Sequence, residues 1–278
     1  MSFLLSLLFI MPVHSTNQLT LTYEGKVIDQ VQREELMIPF HPLFMDETKV
    51  ESYINKIESL VYSKPKDAYI DDYGDIIPEI HGHELNKEKF RTLLVDHFHH
   101  NNTTSFEIPV RTLYPRIDSE LLSHVRSKRI GLYTTYFNNN NHQRTHNIQL
   151  ATRAINNVVL FPGEVFSFNR IVGKRTEQKG YLKAPVIIKG EISEGIGGGI
   201  CQVSSTLFNA VDQIHVKIIE RYSHSKQVPY VPPNRDATVS WYGPDFVFKN
   251  PHHQPLLIRA KTSYGKLIIE IYSSEDFS

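Results

Sequence analysis

Apolar and polar positions change period several times along the chain. Gln18–Tyr23 alternates with period two, which predicts a strand. From Lys49 to Tyr62, Val50, Tyr53, Ile54, Ile57, Leu60 and Val61 recur at helical spacing, and Pro65 ends that helix. Ala68–Ile70 and Ile76–Glu79 flank the acidic turn Asp71–Asp75 and predict a short hairpin. Leu85, Phe90, Leu93, Leu94 and Phe98 mark a second helix, with Asn86 placed to cap it. Phe106–Val110 predicts a closing strand, so residues 16–114 form an α+β module. Residues 115–129 read as a helical connector carrying Ile117, Leu121, Leu122 and Val125 on one stripe. From 130 to 278 the pattern predicts the strand Ile130–Phe137, the helix Asn147–Asn157, and the strands Val165–Phe168 and Ala184–Ile188. Short strands follow at His215–Arg221, Thr238–Trp241, Pro255–Ala260 and Lys266–Tyr272. The expected fold class is therefore α+β in two domains. The C-terminal one is a mostly antiparallel sheet packed on helices.

The apolar run Phe3–Met11 is far shorter than the about 20 residues that span a bilayer. Val13 and Ser15 are spaced like a signal-peptidase site, so residues 1–15 read as a signal-like segment with cleavage near Ser15. No Lys or Arg precedes Lys26, so the usual basic start is missing, and a buried first strand is the competing reading. Export is the favoured reading, with membrane association only through an uncleaved N-terminal segment.

Composition narrows the function. Among 278 residues, Lys plus Arg and Asp plus Glu number 30 each, so the chain is neutral and lacks the basic footprint of a nucleic-acid binder. Hydrophobic residues make up 40%, enough for a sizeable core. The 14 histidines include His81, His83, His97, His99 and His100, but no carboxylate accompanies them at a metal-site spacing, so no metal is assigned. No cofactor-binding motif stands out either. The single cysteine, Cys201, excludes an intrachain disulfide and a Cys-based zinc cluster.

The densest chemistry lies between Gly195 and Asp236. Gly195, Gly197, Gly198 and Gly199 leave a backbone nearly free of side chains, and Val203, Leu207, Phe208 and Val211 then recur at helical spacing. Cys201 therefore sits at a helix start, where unpaired N–H groups and the positive dipole end favour a thiolate. His224 and Asp236 follow in the order expected of a base and the acid that orients it. His252 and His253 are alternative bases. The bland reading is a tight crossing with Cys201 packed inward. A phosphate loop is disfavoured, because no Lys-Ser/Thr follows the glycines.

Several signatures together resemble the VanW family of bacterial envelope proteins. They are Arg144–Asn147, Phe161–Asn169, Gly180-Tyr181 with Ala184–Ile187, Gly197–Phe208, His224-Ser225 and Arg235–Val239. The resemblance spans about Thr134 to Ser273, within a domain taken as 130–278. Residues 45–115 resemble the peptidoglycan-binding module that often precedes VanW domains. Relatives often carry a further His where Tyr222 stands, which singles out His224 as the base. The resemblance implies an exported, wall-associated protein of Gram-positive bacteria, linked by name to glycopeptide resistance. The order Cys–His–Asp is similar to the transglutaminase-like arrangement.

Two function classes follow. In the first, Cys201, His224 and Asp236 carry acyl transfer, hydrolytic or transpeptidic, on peptidoglycan or wall peptides. Backbone groups of Gly198 and Gly199, with Gln202, would hold the oxyanion, and Arg235 would pair with a substrate carboxylate or form a structural ion pair. In the second, the protein is a non-catalytic wall-binding scaffold whose Tyr222, Tyr230, Trp241 and Tyr242 stack on glycans.

Overall fold

A computed structural model describes residues 18–100, 104–188 and 191–277. The signal-like segment 1–15 lies outside them. The chain divides into two compact units. The first holds residues up to Asp67 and Glu79–Arg116, the second Ala68–Pro78 and Ile117–Ser278.

In the first unit the strand Gln18–Tyr23 pairs antiparallel with Lys26–Gln32 and parallel with Ser105–Glu107. Glu24 and Gly25 both take positive φ, which the two-residue turn joining the first pair requires. Leu19 and Leu21 point into a core shared with Val50, Ile54 and Ile57 of the helix Glu47–Val61 and with Phe90 and Leu94 of the helix Lys87–His100. Asp46 caps the first helix through the Thr48 and Lys49 amides, and Asn86 accepts from the Lys89 amide. The expected strand Phe106–Val110 is broken in two. Pro109 has no N–H to give a ladder, and Val110–Leu113 pairs instead with Gly82–Leu85.

The second unit is mixed α and β with antiparallel sheets, as the pattern predicts. One sheet runs in the order Lys128–Tyr136, Lys266–Ser273, Leu256–Ser263, Val158–Leu160, all antiparallel. A second contains Val165–Ser167, Val247–Lys249 and Lys217–Glu220. Phe166 stacks on Phe248 at 4.9 Å, with Phe246 tilted alongside. Between these layers the central helix Ile200–Asp212 is buried over almost its whole surface. Its apolar residues pack against Ile148, Ala151 and Ile155 of the helix His142–Ile155 and against Leu267, Ile269 and Ile271 of the first sheet.

The central helix also buries polar residues, each with a partner, as burial demands. Ser204 donates to the Ala237 carbonyl at 2.6 Å, the Thr206 and Thr135 hydroxyls hydrogen-bond each other at 2.8 Å, and Asn209 donates to the Arg235 carbonyl at 2.7 Å. These bonds explain why the expected strand Thr238–Trp241 is not one. Residues 235–240 run as irregular chain along the helix, and the Ala237 amide donates to Ser205 Oγ rather than to a ladder.

Candidate active site

The helix bearing Cys201 starts abruptly. Gly199 takes φ of 105°, a left-handed conformation open to glycine, and no side chain caps the end. A Cβ on Gly198 would lie 2.5 Å from the Ala184 carbonyl oxygen, so only glycine lets the turn lie against the strand Lys183–Ile188. Asn147 pins this crossing. Its Nδ2 donates to the Leu182 and Gly198 carbonyls at 2.9 and 3.0 Å, and its Oδ1 accepts from the Leu182 amide at 2.8 Å. Cys201 thus occupies the first turn of a fixed, side-chain-poor helix start. The Gln202 amide already turns back to the Gly199 carbonyl at 3.0 Å.

Cys201 is half-buried. Its sulfur lies 3.5 Å from the Val239 carbonyl, to which the thiol donates, and 3.8 Å from the Thr238 hydroxyl. His224 is near enough to act on the charge of the same sulfur. His224 sits in the irregular chain after the strand Lys217–Glu220 and is held from behind by Asp236. One carboxylate oxygen, Oδ2, accepts both the His224 main-chain N–H and Nδ1–H, each at 2.6 Å. The His224 and Asp236 side chains are 6% and 9% exposed, so water competes little for that bond. Arg221 fastens the loop by donating to the Asp236 carbonyl at 2.6 Å.

Electrostatics follow from this chain of contacts. Burial alone would push the Cys201 thiol up. The hydrogen bond and charge of His224, with contacts at Val239 and Thr238, outweigh it and bring the thiol below its ordinary value. Burial likewise works against a charged His224, yet Cys201 and Asp236 raise its pKa. The Asp236 carboxyl, which burial would raise, is held below the usual range by the two His224 donors. All three directions favour a thiolate–imidazolium pair backed by a carboxylate.

The structure brings Cys201, His224 and Asp236 together and places Gly198 and Gly199 at the same helix start. Gln202 and Arg235 are elsewhere engaged. Gln202 is 1% exposed; its Nε2 donates to Thr135 and Tyr136 and its Oε1 accepts from Arg144, so its amide protons are committed within the core. Arg235 bonds Asn209 and ion-pairs with Asp212 at 2.8 Å. Asp212 ends the helix, 11 residues from Cys201 or about 16 Å along the axis. Of the two expectations for Arg235, the structural ion pair is the one formed. His252 hydrogen-bonds the Ile214 carbonyl instead of reaching the sulfur.

Sequence reading missed Thr238 and Val239 as contacts of the sulfur, because they were assigned to a strand. It also missed Tyr230, Arg144 and Arg175 as groups in the thiol's field. Burial, then the charge of Cys201, raises the Tyr230 phenol, with Ser205 and Arg144 opposing. Among the described residues, no group of His, Cys, Asp and Glu comes together as a metal site.

Comparison with known proteins matches this half of the chain to a family. The family described as VanW like protein matches residues 143–272, which hold Cys201, His224 and Asp236. The chain is also 48% identical over 265 residues to the uncharacterized protein YoaR of Bacillus subtilis, covering 95% of this chain and 88% of that one. The chain belongs to the VanW-like family. It is 33% identical over 94 residues to the vancomycin B-type resistance protein VanW of Enterococcus faecalis, about a third of each chain. No solved structure matches it significantly.

Proposed function

We propose that this VanW-like protein is an extracytoplasmic cell-envelope enzyme that carries out thiol-dependent acyl transfer on wall peptides. The observation that supports this reading is that His224, which acts on the charge of Cys201, is anchored by two hydrogen bonds to one Asp236 oxygen. The name of the Enterococcus faecalis relative, which ties that protein to vancomycin resistance, supports an envelope substrate.

The chemistry follows the residues. The Cys201 thiolate adds to an amide or ester carbonyl, forming the C–S bond. The Cys201 backbone N–H, at an uncapped helix start, stabilises the oxyanion. The tetrahedral adduct collapses, the carbonyl-to-leaving-group bond breaks, and the His224 imidazolium gives its proton to the departing amine or alcohol. Neutral His224 then takes a proton from the acceptor as it attacks the thioester, and the thiolate leaves. Water as acceptor gives hydrolysis, and an amine gives transpeptidation. Asp236 keeps Nδ1 protonated throughout, so the other ring nitrogen serves the sulfur.

A second reading, a non-catalytic wall-binding scaffold, draws support from exposed aromatic rings. Tyr222, Trp241 and Tyr242 are 52%, 42% and 84% exposed, a surface suited to stacking on glycans.

Alkylation separates the two. An ordinary thiol near pKa 8.5 is only about 0.3% thiolate at pH 6. Under the enzyme reading, iodoacetamide modifies native Cys201 at pH 6 at least tenfold faster than the same protein unfolded in urea. Cys201→Ser then folds but releases no product from wall peptides. A native thiol that reacts only after unfolding favours the scaffold.

A further inference from the structure

The thiol, His224 and Asp236 leave two nearby cations without a task. Arg144 and Arg175 both feel the charge of Cys201. Both stems rest on the glycine turn from which Cys201 rises. A Cβ on Gly199 would meet Arg144 Cγ at 2.8 Å, and one on Gly197 would meet Arg175 Cγ at 3.1 Å. Arg144 Nη2 is taken by Gln202 Oε1 at 2.7 Å. Arg175 Nη1 is taken by Asn169 Oδ1 at 2.7 Å, and its ring-facing side lies over Phe168. Arg175 Nη2, however, is enclosed and has no hydrogen-bond partner.

That is an expensive arrangement without a ligand. A buried guanidinium N–H left unpaired forfeits its hydrogen bond to water without replacement, and Arg stays charged wherever the protein folds. No carboxylate of the described residues lies within ion-pair distance of Arg144 or Arg175. Asp245, the acid that acts on Arg175, has its oxygens committed to Ser167 Oγ at 2.5 Å and to the Asn169 and Phe246 amides at 2.8 and 2.7 Å. The other groups acting on Arg175 are Cys201 itself and the buried phenol of Tyr181. An unanswered N–H on a charged guanidinium calls for an anionic oxygen, and a carboxylate is a ligand that supplies it.

We propose that Arg175, with Arg144 on the same turn, recognises a carboxylate of the molecule that meets Cys201, so the substrate is an amide or ester bearing a free carboxylate. This deepens the acyl-transfer reading and rests on it for what Cys201 does, but the carboxylate site is testable apart from it. It moves to Arg175 the recognition that sequence spacing assigned to Arg235.

Two probes test it. In Cys201→Ser protein, which has no thiol to react, ligand-observed NMR compares N-acetylglycine with its neutral analogue N-acetylglycinamide. The carboxylate should bind at least about tenfold more tightly. Arg175→Gln should abolish the preference, and Arg175→Lys, which keeps the charge without the fork, should retain part of it. In the wild-type protein, Cys201 is the sole thiol, so its modification is followed at that residue. The rate ratio of iodoacetate to iodoacetamide should be about tenfold higher in the native than in the urea-unfolded protein, and should fall in Arg175→Gln. No preference for N-acetylglycine, or one that survives in Arg175→Gln and Arg175→Lys alike, overturns the proposal. A thiol inert to both reagents alongside an Arg175-dependent preference sinks acyl transfer and leaves the carboxylate site standing.

Discussion

Asp236 Oδ2 receives two donors 2.6 Å away, both from His224. The main-chain donor fixes where the loop sits and the ring donor fixes which nitrogen carries the proton. Removing the charge while keeping the shape, as in Asp236→Asn, should raise the Cys201 pKa and move the pH profile of iodoacetamide alkylation toward that of an ordinary thiol. A profile unmoved by Asp236→Asn would mean that His224 needs no anchor. Stability should carry the same signature. Asp236 is depressed in the folded protein, so its contribution is present above the ordinary carboxyl value near 3.9 and is lost as pH falls through the lower folded value. His224 is raised, so its contribution is complete below about 6.5 and is lost as pH rises through its folded value. Urea midpoints of the wild type should therefore fall below about pH 4 more steeply than those of Asp236→Asn. At pH 6 the variant should be less stable by about 2 kcal/mol, the scale of a lost charged hydrogen bond. Equal slopes for the two proteins in the acid range would contradict the assignment.

At the scale of elements, the crossing between the glycine turn and the strand Lys183–Ile188 sets the position of the sulfur. Gly198→Ala would force a Cβ into backbone atoms of Ala184 and Pro185. That should cost about 3 kcal/mol and slow alkylation of Cys201, because the helix start must shift. Gly74→Ala is a control that isolates backbone strain from collision, since Gly74 has a positive φ, which Gly198 does not, and nothing lies near its Cβ. Thermal melts and alkylation rates of the two variants give the test: only Gly198→Ala should change reactivity. Much of this level was legible in the sequence. The helices read from Lys49, Asn86 and Asn147 are present because apolar spacing and caps agree there. The nearness of Cys201, His224 and Asp236 was legible because the glycine turn starts a helix with the lone Cys in its first turn, and a His and an Asp follow it in the chain. What was hidden depended on side chains meeting across the fold. Pro109 diverted a strand into another sheet, Ser205 drew residues 235–240 away from any ladder, and the strand Glu191–Ile196 showed only as the partner of Lys183–Ile188. Gln202 and Arg235 were placed at the site by proximity in sequence. Their real partners come from the strand Lys128–Tyr136 (Thr135, Tyr136), the helix His142–Ile155 (Arg144) and the last turn of the central helix (Asn209, Asp212).

For the molecule as a whole, the second unit takes in a short hairpin from far earlier in the chain. Tyr69–Ile70 pairs with Ile76–Ile77, and Ala68 and Ile70 pack with Leu122, Val125, Val159 and Leu257. Asn157 ties the hairpin in, accepting from the Ile70 amide at 3.0 Å and donating to its carbonyl at 2.9 Å. Arg259 adds bonds to the Ile70 and Asp71 carbonyls. A fragment starting at Ile117 keeps every residue of the candidate site but loses all of these partners. Burying a side chain such as Ile70 is worth about 1.5–3 kcal/mol, and the orphaned polar groups of Asn157 and Arg259 add to the loss. At about 2–4 °C of Tm per kcal/mol for a unit of this size, the fragment should melt at least about 8 °C below the full chain. It should also bind a dye such as ANS at the uncovered Val159 and Leu257. Ile70→Ala in the full chain should show a smaller loss of about 2–4 kcal/mol, with Cys201 still reactive in the cold. A fragment as stable as the full chain would show that the hairpin merely rests on the second unit and that residues from Ile117 onward fold unaided.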